Sequence, residues 1–233
     1  MKKPGANSDR TRKLILKHAT DEFATKGYDG ARVDSIARRF GLSKNMLYHY
    51  FGSKEDLFIA VLEDAYEALR ARQQRMEIKQ ADPVEAMKRL IAQTFCAVTE
   101  NHKFVALLTS ENLHKGRHIR RSRAIRPLYN PLIDRIREIL QAGAVAGAFR
   151  KNLDPILVYV SFSALAYHYV SNQYTLNAAL GVDFSSRKNR AAWLAYIIDL
   201  MLTYCCVPPS QSRRHPHPTR RSRSRIHSTA AQL

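Results

Sequence analysis

The strongest constraint on the fold is the stretch 32–58, which has the pattern of three helices separated by two tight turns. Apolar residues recur at helical spacing in the first helix; they are Val33, Ile36, Ala37 and Phe40. Gly41 ends this helix, because glycine readily adopts positive φ, and Ser43 is a suitable N-cap for the next one. That next helix covers 44–50, and Gly52 follows it closely. Two short helices joined by so brief a turn predict a helix-turn-helix motif.

The second helix of this motif is short enough to enter a DNA major groove. Its solvent-facing side chains include no carboxylate; they are Lys44, Asn45, Met46, Tyr48 and His49. An acidic face would repel phosphate, and this one does not. The alternative is that three helices pack a small core and leave only a solvated basic face. The pattern favours DNA binding.

The stretch 11–58 resembles the N-terminal domain of the tetracycline-repressor (TetR) family of bacterial transcription regulators. The matching segments are 11–16, 23–28, 33–37, 41–44 and 47–57, and the last reads Leu-Tyr-His-Tyr-Phe-Gly-Ser-Lys-Glu-Asp-Leu. The resemblance implies an all-α homodimer with a helix-turn-helix domain followed by a larger helical ligand-binding and dimerisation domain. It also implies a repressor that binds a palindromic operator and is released by a small-molecule effector.

On the family's pattern, the DNA-facing positions are Ser43, Lys44, Tyr48, His49, Tyr50 and Lys54. By chemistry, Lys44 can donate to guanine or phosphate, Asn45 can pair with adenine, and Met46 can contact a thymine methyl. Tyr48 and Lys54 suit phosphate, with Lys54 helped by the positive end of its helix.

The chain departs from the family at two places. At the start of the helix before the turn, Ala31 and Arg32 stand where small hydroxyl residues of the family usually contact phosphate. We expect Arg32 to make that contact instead, and the N-cap of this helix to be weaker because the hydroxyl is missing. Asn45 and Met46 stand where Gly-Thr or Gly-Ser is frequent. Because these positions face the groove, the operator sequence does not transfer from relatives.

Composition limits the partner and the compartment. The 233 residues carry a net charge of +18, which favours an anionic partner, with nucleic acid before a membrane surface. The sequence has three cysteines, Cys96, Cys205 and Cys206. Their number and spacing match neither a disulfide framework nor a zinc-binding motif. Neither a signal peptide nor an apolar run of about 18 residues is recognisable. We therefore expect a cytoplasmic, nucleoid-associated protein with no membrane partner.

Helical periodicity continues along the chain, without an internal repeat or a strand pattern. It predicts helices over 9–26, 54–80, 83–98, 102–114, 128–146, 155–180 and 187–204. We expect 1–53 to form the helix-turn-helix DNA-binding domain and 54–207 to form the helical effector-binding and dimerisation domain. The tail 208–233 has too few apolar residues to fold and is expected to be disordered and basic.

Two basic segments lie outside these helices. The run 115–126 has six Lys or Arg residues and no acid. It is a solvated connection, a phosphate contact or a counter-charge for an anionic ligand. The tail holds six arginines and can add weak, salt-sensitive DNA affinity.

The two final predicted helices have more apolar surface than one body needs. The TetR resemblance implies that two copies of the chain pack these helices as a four-helix bundle, which would bury the apolar surface. A dimer also presents two recognition helices, so that a short DNA site is doubled into a palindrome. The alternative is that both helices are internal core of a monomer. The expected interface residues are Tyr169, Tyr174, Trp193, Tyr196, Ile197, Leu200, Met201 and Tyr204.

The resemblance also implies an unidentified effector held among the central helices. Candidate pocket residues carry aromatic, amide or imidazole groups on helices expected to line the body; they are Phe95, Phe104, Asn112, His114, Tyr129, Tyr159, Phe162, His168 and Asn172. The alternative for each is ordinary core packing.

Two rival functions are weighed against a regulator. An enzyme is not expected, since His102, His114 and His168 lie on separate helices without a nucleophile signature, a phosphate loop or metal-ligand spacing. No cofactor or metal is therefore predicted. A nonspecific architectural DNA-binding protein is the alternative function, but such a protein does not need a large apolar body.

Overall fold

The computed structural model describes residues 6–74 and 82–208. These residues form α-helices and one 3₁₀ turn at Ile119–Arg121; the helices are α1 (Ala6–Gly30), α2 (Val33–Arg38), α3 (Lys44–Phe51), α4 (Lys54–Gln74), α5 (Pro83–Thr99), α6 (His102–Leu113), α7 (Ile125–Val145), α8 (Pro155–Ser171), α9 (Gln173–Leu180) and α10 (Arg187–Cys205). Within the described ranges the only β-type pairing is an isolated bridge between Phe149 and Cys206. The predicted all-α class is confirmed.

Capping side chains set the helix starts where the sequence placed them. Asp82 accepts the backbone N–H groups of Val84 and Glu85 at 3.1 and 3.2 Å. Asp154 accepts the corresponding N–H groups of its own helix at 2.7 and 3.4 Å. A proline follows each of these aspartates at the first helical position, where no N–H is needed.

The predicted helix over 155–180 is wrong as a single element. Asn172 leaves the helical conformation at φ −110° and ψ 5°, so the segment divides into α8 and α9. The Asn172 side chain donates to the carbonyl of His168 at 3.3 Å and competes with the helical backbone pattern. Helix α7 also begins earlier than predicted, because Ser122 Oγ accepts the N–H groups of Ala124 and Ile125. The predicted end of the long helix near residue 80 and nearly all of the basic tail lie outside the described residues.

Two apolar cores organise the helices. The first joins α1, α2, α3 and the apolar face of α4 and continues into α5, α6 and α7 through Ala97, Phe104, Leu107 and Ile125. The second joins α5, α7, α8 and α10. We call α1 to α3 the head and α5 to α10 the body. Helix α4 contributes Leu57 and Phe58 to the first core, and α1 packs directly against α6, so the head is joined to the body by both contacts.

No helix within 6–74 or 82–208 combines the length and the apolar character needed to cross a membrane. The large apolar side chains of the described helices are instead packed mainly in the two cores.

Gly143 on α7 provides a test of the second core. A Cβ at this position would lie 2.0 Å from Cδ2 of Phe149, whose ring is almost completely buried. Overpacking of a core costs about 1–3 kcal/mol, and an approach as short as 2.0 Å belongs at the upper end of this range. The gain of about 1 kcal/mol in helix propensity offsets only part of that cost. We expect Gly143→Ala to lower the free energy of unfolding by about 2 kcal/mol in urea denaturation.

The matched control is Gly30→Ala, where the new Cβ would meet Lys26 Cβ at 3.4 Å, an ordinary contact. Equal stability of the two variants would contradict the close approach of α7 to Phe149.

Candidate nucleic-acid interface and ligand cavity

Helix α3 is fixed by a cap at its start and by apolar contacts on one side. Ser43 Oγ accepts the N–H of Met46 at 3.2 Å, which confirms the predicted N-cap. Gly41 adopts φ 63° in the preceding turn. Leu47 is fully buried and Phe51 nearly so, in contact with α2 and α4. The opposite side of α3 is therefore held in a defined orientation towards solvent.

The predicted DNA-facing residues lie at the surface of the head. The exposed ones are Arg32, Ser43, Lys44, Asn45, Met46 and His49, and the half-buried ones are Tyr48, Tyr50 and Lys54. Arg32 makes no side-chain cap to α2, as expected from the departure at this position. Helix α3 itself carries no acidic residue, so its outward face is compatible with a polyanion.

Asp34 on α2 is the acid beside this face. Lys44 Nζ lies 3.8 Å from Asp34 Oδ1, and both side chains are about half exposed, so water screens the pair. Arg38 Nε donates to the Asp34 carbonyl at 3.3 Å, so α2 carries an exposed cation one turn after Asp34. The sequence analysis did not single out Arg38; the basic pair Arg38-Arg39 before the turn was the available signal.

Two predicted DNA contacts have partners inside the protein. Lys54 Nζ donates to the Asp29 carbonyl at 3.3 Å and lies 4.9 Å from the centre of the Tyr28 ring. Tyr50 packs against the first core and lines a small surface pocket together with Arg12. A phosphate contact from Lys54 requires the ammonium to exchange these partners.

The basic run after α6 pairs with the start of α4. Arg121 lies 2.5 Å from Glu55 and 3.2 Å from Asp56, and Arg117 lies 3.3 Å from Glu55. The hydrogen bond from Arg121 lowers the pKa of Glu55. Each pair is partly exposed and individually weak. Together they supply counter-charge to the acids that begin α4.

A buried carboxylate holds this run in place. Glu111 accepts the backbone N–H groups of His118 and Ile119 at 2.8 and 2.9 Å, and His118 Nδ1–H donates to its other oxygen at 2.6 Å. The His118 ring centre lies 4.4 Å from that of Tyr28 and 4.9 Å from that of Phe58. We call this group the junction, because it connects the end of α6 to α1 and α4.

A cavity of about 270 Å³ opens in the body among α4, α5, α6, α7 and α8. Three predicted effector residues line it: Phe104, Tyr129 and Tyr159. The other six do not, namely Phe95, Asn112, His114, Phe162, His168 and Asn172. Of these, the phenylalanines are buried in the second core, Asn112 and His168 are exposed, and the remaining two are half-buried. Helical spacing alone does not reveal which side chains face a cavity.

Arg70 is a cavity residue that the sequence analysis missed. It is only 3% exposed, its Nη2 donates to Tyr159 Oη at 3.3 Å, and its guanidinium carbon lies 4.3 Å from the centre of the Tyr129 ring. Burial raises the pKa of Tyr129, which therefore stays a neutral phenol. The available signal was a charge one turn after Tyr66, on the apolar stripe of α4.

A larger groove of about 710 Å³ lies at the C-terminal end of α7. It is a surface feature bordered by Val145, which is 91% exposed, and by Arg150 and Lys151. None of the predicted pocket residues borders it. We take the smaller cavity as the candidate ligand site because its walls are aromatic and its cation is buried.

The predicted interface residues divide into two groups. Tyr174, Tyr196, Leu200 and Tyr204 are exposed. Tyr169, Ile197 and Met201 are instead buried in the second core of their own chain, so they belong to the inner faces of α8 and α10. Trp193 is half-buried and donates its Nε1–H to the carbonyl of Leu165. Helix α8 also exposes three apolar residues that were not predicted, namely Ile156, Leu157 and Val160, and Val160 borders the cavity as well.

The head and the body both match known protein families. Residues 15–61 match "Bacterial regulatory proteins, tetR family", and residues 83–201 match "Tetracyclin repressor-like, C-terminal domain". The HTH-type transcriptional repressor NicS of Pseudomonas putida is 37% identical over 195 residues, covering 84% of this chain and 92% of NicS. This chain belongs to the TetR family and is a DNA-binding transcription regulator.

Solved structures share the same architecture. The putative transcriptional regulator SCO4942 from Streptomyces coelicolor has a TM-score of 0.62 and 26% identity, covering 82% of this chain and 97% of that one. A putative regulator from Saccharomonospora viridis, solved with choline, has a TM-score of 0.65 at 20% identity, covering 86% of this chain and 100% of that one. FadR from Bacillus subtilis, solved with stearoyl-CoA, has a TM-score of 0.60 at 18% identity, covering 82% and 97%. The last two likenesses show the fold alone.

The junction provides a second test. Glu111→Ala leaves the two backbone N–H groups and the imidazole donor that Glu111 accepts without this buried acceptor. We expect the free energy of unfolding to fall by about 3 kcal/mol, measured by urea denaturation. The control is Glu67→Ala on the exposed side of α4, for which we expect a change within about 0.5 kcal/mol. A Glu111→Ala protein as stable as the control would refute the role of the junction.

Proposed function

We propose that this protein is a homodimeric transcriptional repressor that reads a palindromic operator with α3 of each protomer and is released by a small-molecule effector. The outward face of α3 carries this proposal, because it is exposed, fixed by its cap and core contacts, and without a carboxylate. Two relatives are named transcriptional repressors: NicS of Pseudomonas putida, and KstR2 of Mycolicibacterium smegmatis. KstR2 is 30% identical to this chain over 152 residues, which cover 62% of this chain and 70% of KstR2.

The side chains of α3 suit different parts of DNA. Lys44 donates to guanine or phosphate, Asn45 pairs with adenine, and Met46 contacts a thymine methyl. Arg32 and Tyr48 position the head by contacting phosphates and carry no base information. His49, Tyr50 and Lys54 flank this set. A protein with this division of contacts discriminates sequences at moderate salt, which an architectural protein does not.

The named relatives support a regulator rather than an enzyme, because NicS and KstR2 are both named transcriptional repressors. Within residues 6–74 and 82–208, no cluster of three or more histidine, cysteine or acidic side chains is arranged to hold a metal ion. We place the regulator in the cytoplasm at the nucleoid, where its DNA target lies.

We assign DNA contact to residues 1–53 and effector binding and dimerisation to residues 54–207. The start of α4 belongs to the second segment by this division, yet its side chains pack in the first core beside the head. Effector binding in the body therefore has a direct mechanical route to the head. Allosteric coupling between such sites is typically about 1–3 kcal/mol, enough to change operator affinity by about 5- to 150-fold.

The DNA-reading role is tested by selecting binding sites from random duplex DNA at about 150 mM salt with the full chain. We expect an enriched palindrome. We expect Lys44→Ala to reduce affinity for it by at least about 10-fold and to lower the salt slope by about one. Tyr48→Ala should also weaken binding, because a phosphate contact that positions α3 is lost.

The matched control is Lys188→Ala, which removes an exposed lysine at the start of α10 and should leave the affinity unchanged. An equal loss in Lys44→Ala and Lys188→Ala would mean that only total charge matters. Selection without enrichment would favour nonspecific coating of DNA.

The outer face of α8 and α10 supports dimerisation. It presents Ile156, Leu157, Val160, Tyr196, Leu200 and Tyr204, each at least 40% exposed. Helices α8 and α10 contact each other, and large exposed apolar patches on soluble proteins mark interaction sites. A second copy that covers this face would bring two heads onto one DNA duplex.

Leu200→Glu tests this dimer. A buried carboxylate at the interface has no partner and disfavours association, so we expect a shift to monomer in analytical ultracentrifugation at about micromolar concentration. Leu113→Glu is the control, because Leu113 is 79% exposed at the end of α6, and it should leave the assembly unchanged. A Leu200→Glu protein that stays dimeric would place the interface elsewhere.

A further inference from the structure

We propose that Asp34 on α2 raises the preference for the operator over other DNA by controlling what Lys44 contacts. Its carboxylate disfavours a phosphate at the Lys44 ammonium and leaves that ammonium to donate to a base in the major groove. This inference rests on the proposed function, in which α3 reads the operator. It makes Asp34 a positioning residue that acts through Lys44.

Asp34 lies at the edge of the reading face. It is the second residue of α2, and its Oδ1 lies 3.8 Å from Nζ of Lys44, the first residue of α3. Within α2 and α3, which the structure describes in full, Asp34 is the only acidic residue. Its side chain is 58% exposed and that of Lys44 is 49% exposed. The packing of the head therefore does not require a carboxylate at this place.

The Lys44 ammonium has two neighbours within the head. One is the carboxylate of Asp34, and the other is the ring of Tyr48, whose centre lies 5.8 Å from Nζ. An exposed ion pair of this length contributes little to stability, because water screens it. Lys44 can therefore turn towards DNA at little cost while the carboxylate stays beside it.

Phosphate and base acceptors differ in how they meet this pair. A phosphate that approaches Lys44 brings a second negative charge close to the Asp34 carboxylate, and like charges at short range repel each other. The O6 and N7 atoms of guanine belong to an uncharged base and accept from a lysine without that repulsion. The pair therefore favours a base acceptor over a phosphate.

This difference acts on specificity. Nonspecific binding depends almost entirely on phosphate contacts, whereas the operator complex also has base contacts. A group that penalises phosphate at one position weakens nonspecific complexes more than the operator complex. Discrimination by an element that is unfavourable in the wrong complex is a general route to specificity.

The alternative is a purely structural role for Asp34. It lies in the first turn of α2, where a carboxylate interacts favourably with the helix dipole. Loss of that interaction would alter the stability of the head, and it would change the affinity for every DNA sequence by the same factor. The ratio of the affinities for two sequences therefore separates the two roles.

Fluorescence anisotropy with the full-length protein tests the proposal, on the selected operator duplex and on a scrambled duplex of equal length and composition. Asp34→Asn keeps the shape of the side chain and the backbone carbonyl that accepts from Arg38. At about 150 mM salt, we expect it to bind the scrambled duplex at least about 5-fold more tightly than the wild type does. We expect its affinity for the operator to rise by less than about 2-fold, so that the preference for the operator falls.

Two controls isolate the contribution of the pair. Asp64→Asn removes an exposed carboxylate from α4 and should change both affinities by the same factor. In a Lys44→Ala background no ammonium is left to control, so Asp34→Asn should change the ratio of the two affinities by less than about 2-fold. An unchanged ratio in Asp34→Asn alone, an equal change in Asp64→Asn, or a change that persists without Lys44 would each overturn the proposal.

The wild-type protein, measured in the same series, distinguishes this inference from the proposed function. If it prefers the operator and Asp34→Asn keeps that preference, the protein remains a sequence-specific regulator and only the role of Asp34 is refuted. If the wild type binds both duplexes equally, the proposed function is contradicted, and the role of Asp34 is refuted together with it.

Discussion

The carboxylate of Glu111 is the interaction on which the arrangement of head and body depends. It is buried at the end of α6 and accepts two backbone N–H groups and the imidazole donor of His118. This bonding forms the turn that packs His118 against Tyr28 and Phe58. The basic segment that follows can then pair with the acids at the start of α4. Arg117 and Arg121 of this cationic stretch thereby serve as structural counter-charge to the start of α4.

Helix α4 joins the three functional parts of the molecule. Its first half completes the core that holds α3, and Arg70 in its second half lines the body cavity. The ring contacts of Arg70 with Tyr129 and Tyr159 connect α4 to α7 and α8. Helix α8 in turn contributes to the exposed apolar face proposed for dimerisation. The cavity, the proposed interface and α3 are therefore connected through packed helices, and this is the route by which we propose that ligand binding reaches the head.

The sequence predicted the parts that depend on local chemistry. Caps at Ser43, Asp82 and Asp154 could be read directly, because a side chain that accepts N–H groups in the first turn acts within a few residues. The fold class and the exposed face of α3 followed from apolar spacing. The break at Asn172 was not predictable from that spacing, since the apolar pattern continues through it. The prediction placed three core residues in the dimer interface: Tyr169, Ile197 and Met201. The inner and outer faces of α8 and α10 could not be told apart in the sequence, because both helices are apolar on most sides. Arg70 was missed because its role depends on tyrosines from two distant helices.

Hydroxyl-radical footprinting on the selected operator tests the central claim most directly, namely that two heads read DNA in a geometry fixed by the body. The account predicts two protected tracts on one face of the duplex, with centres about 34–36 Å apart or a multiple of one helical turn. Protection should be symmetric about the centre of the palindrome. A single protected tract, or continuous protection that spreads with protein concentration, would contradict it.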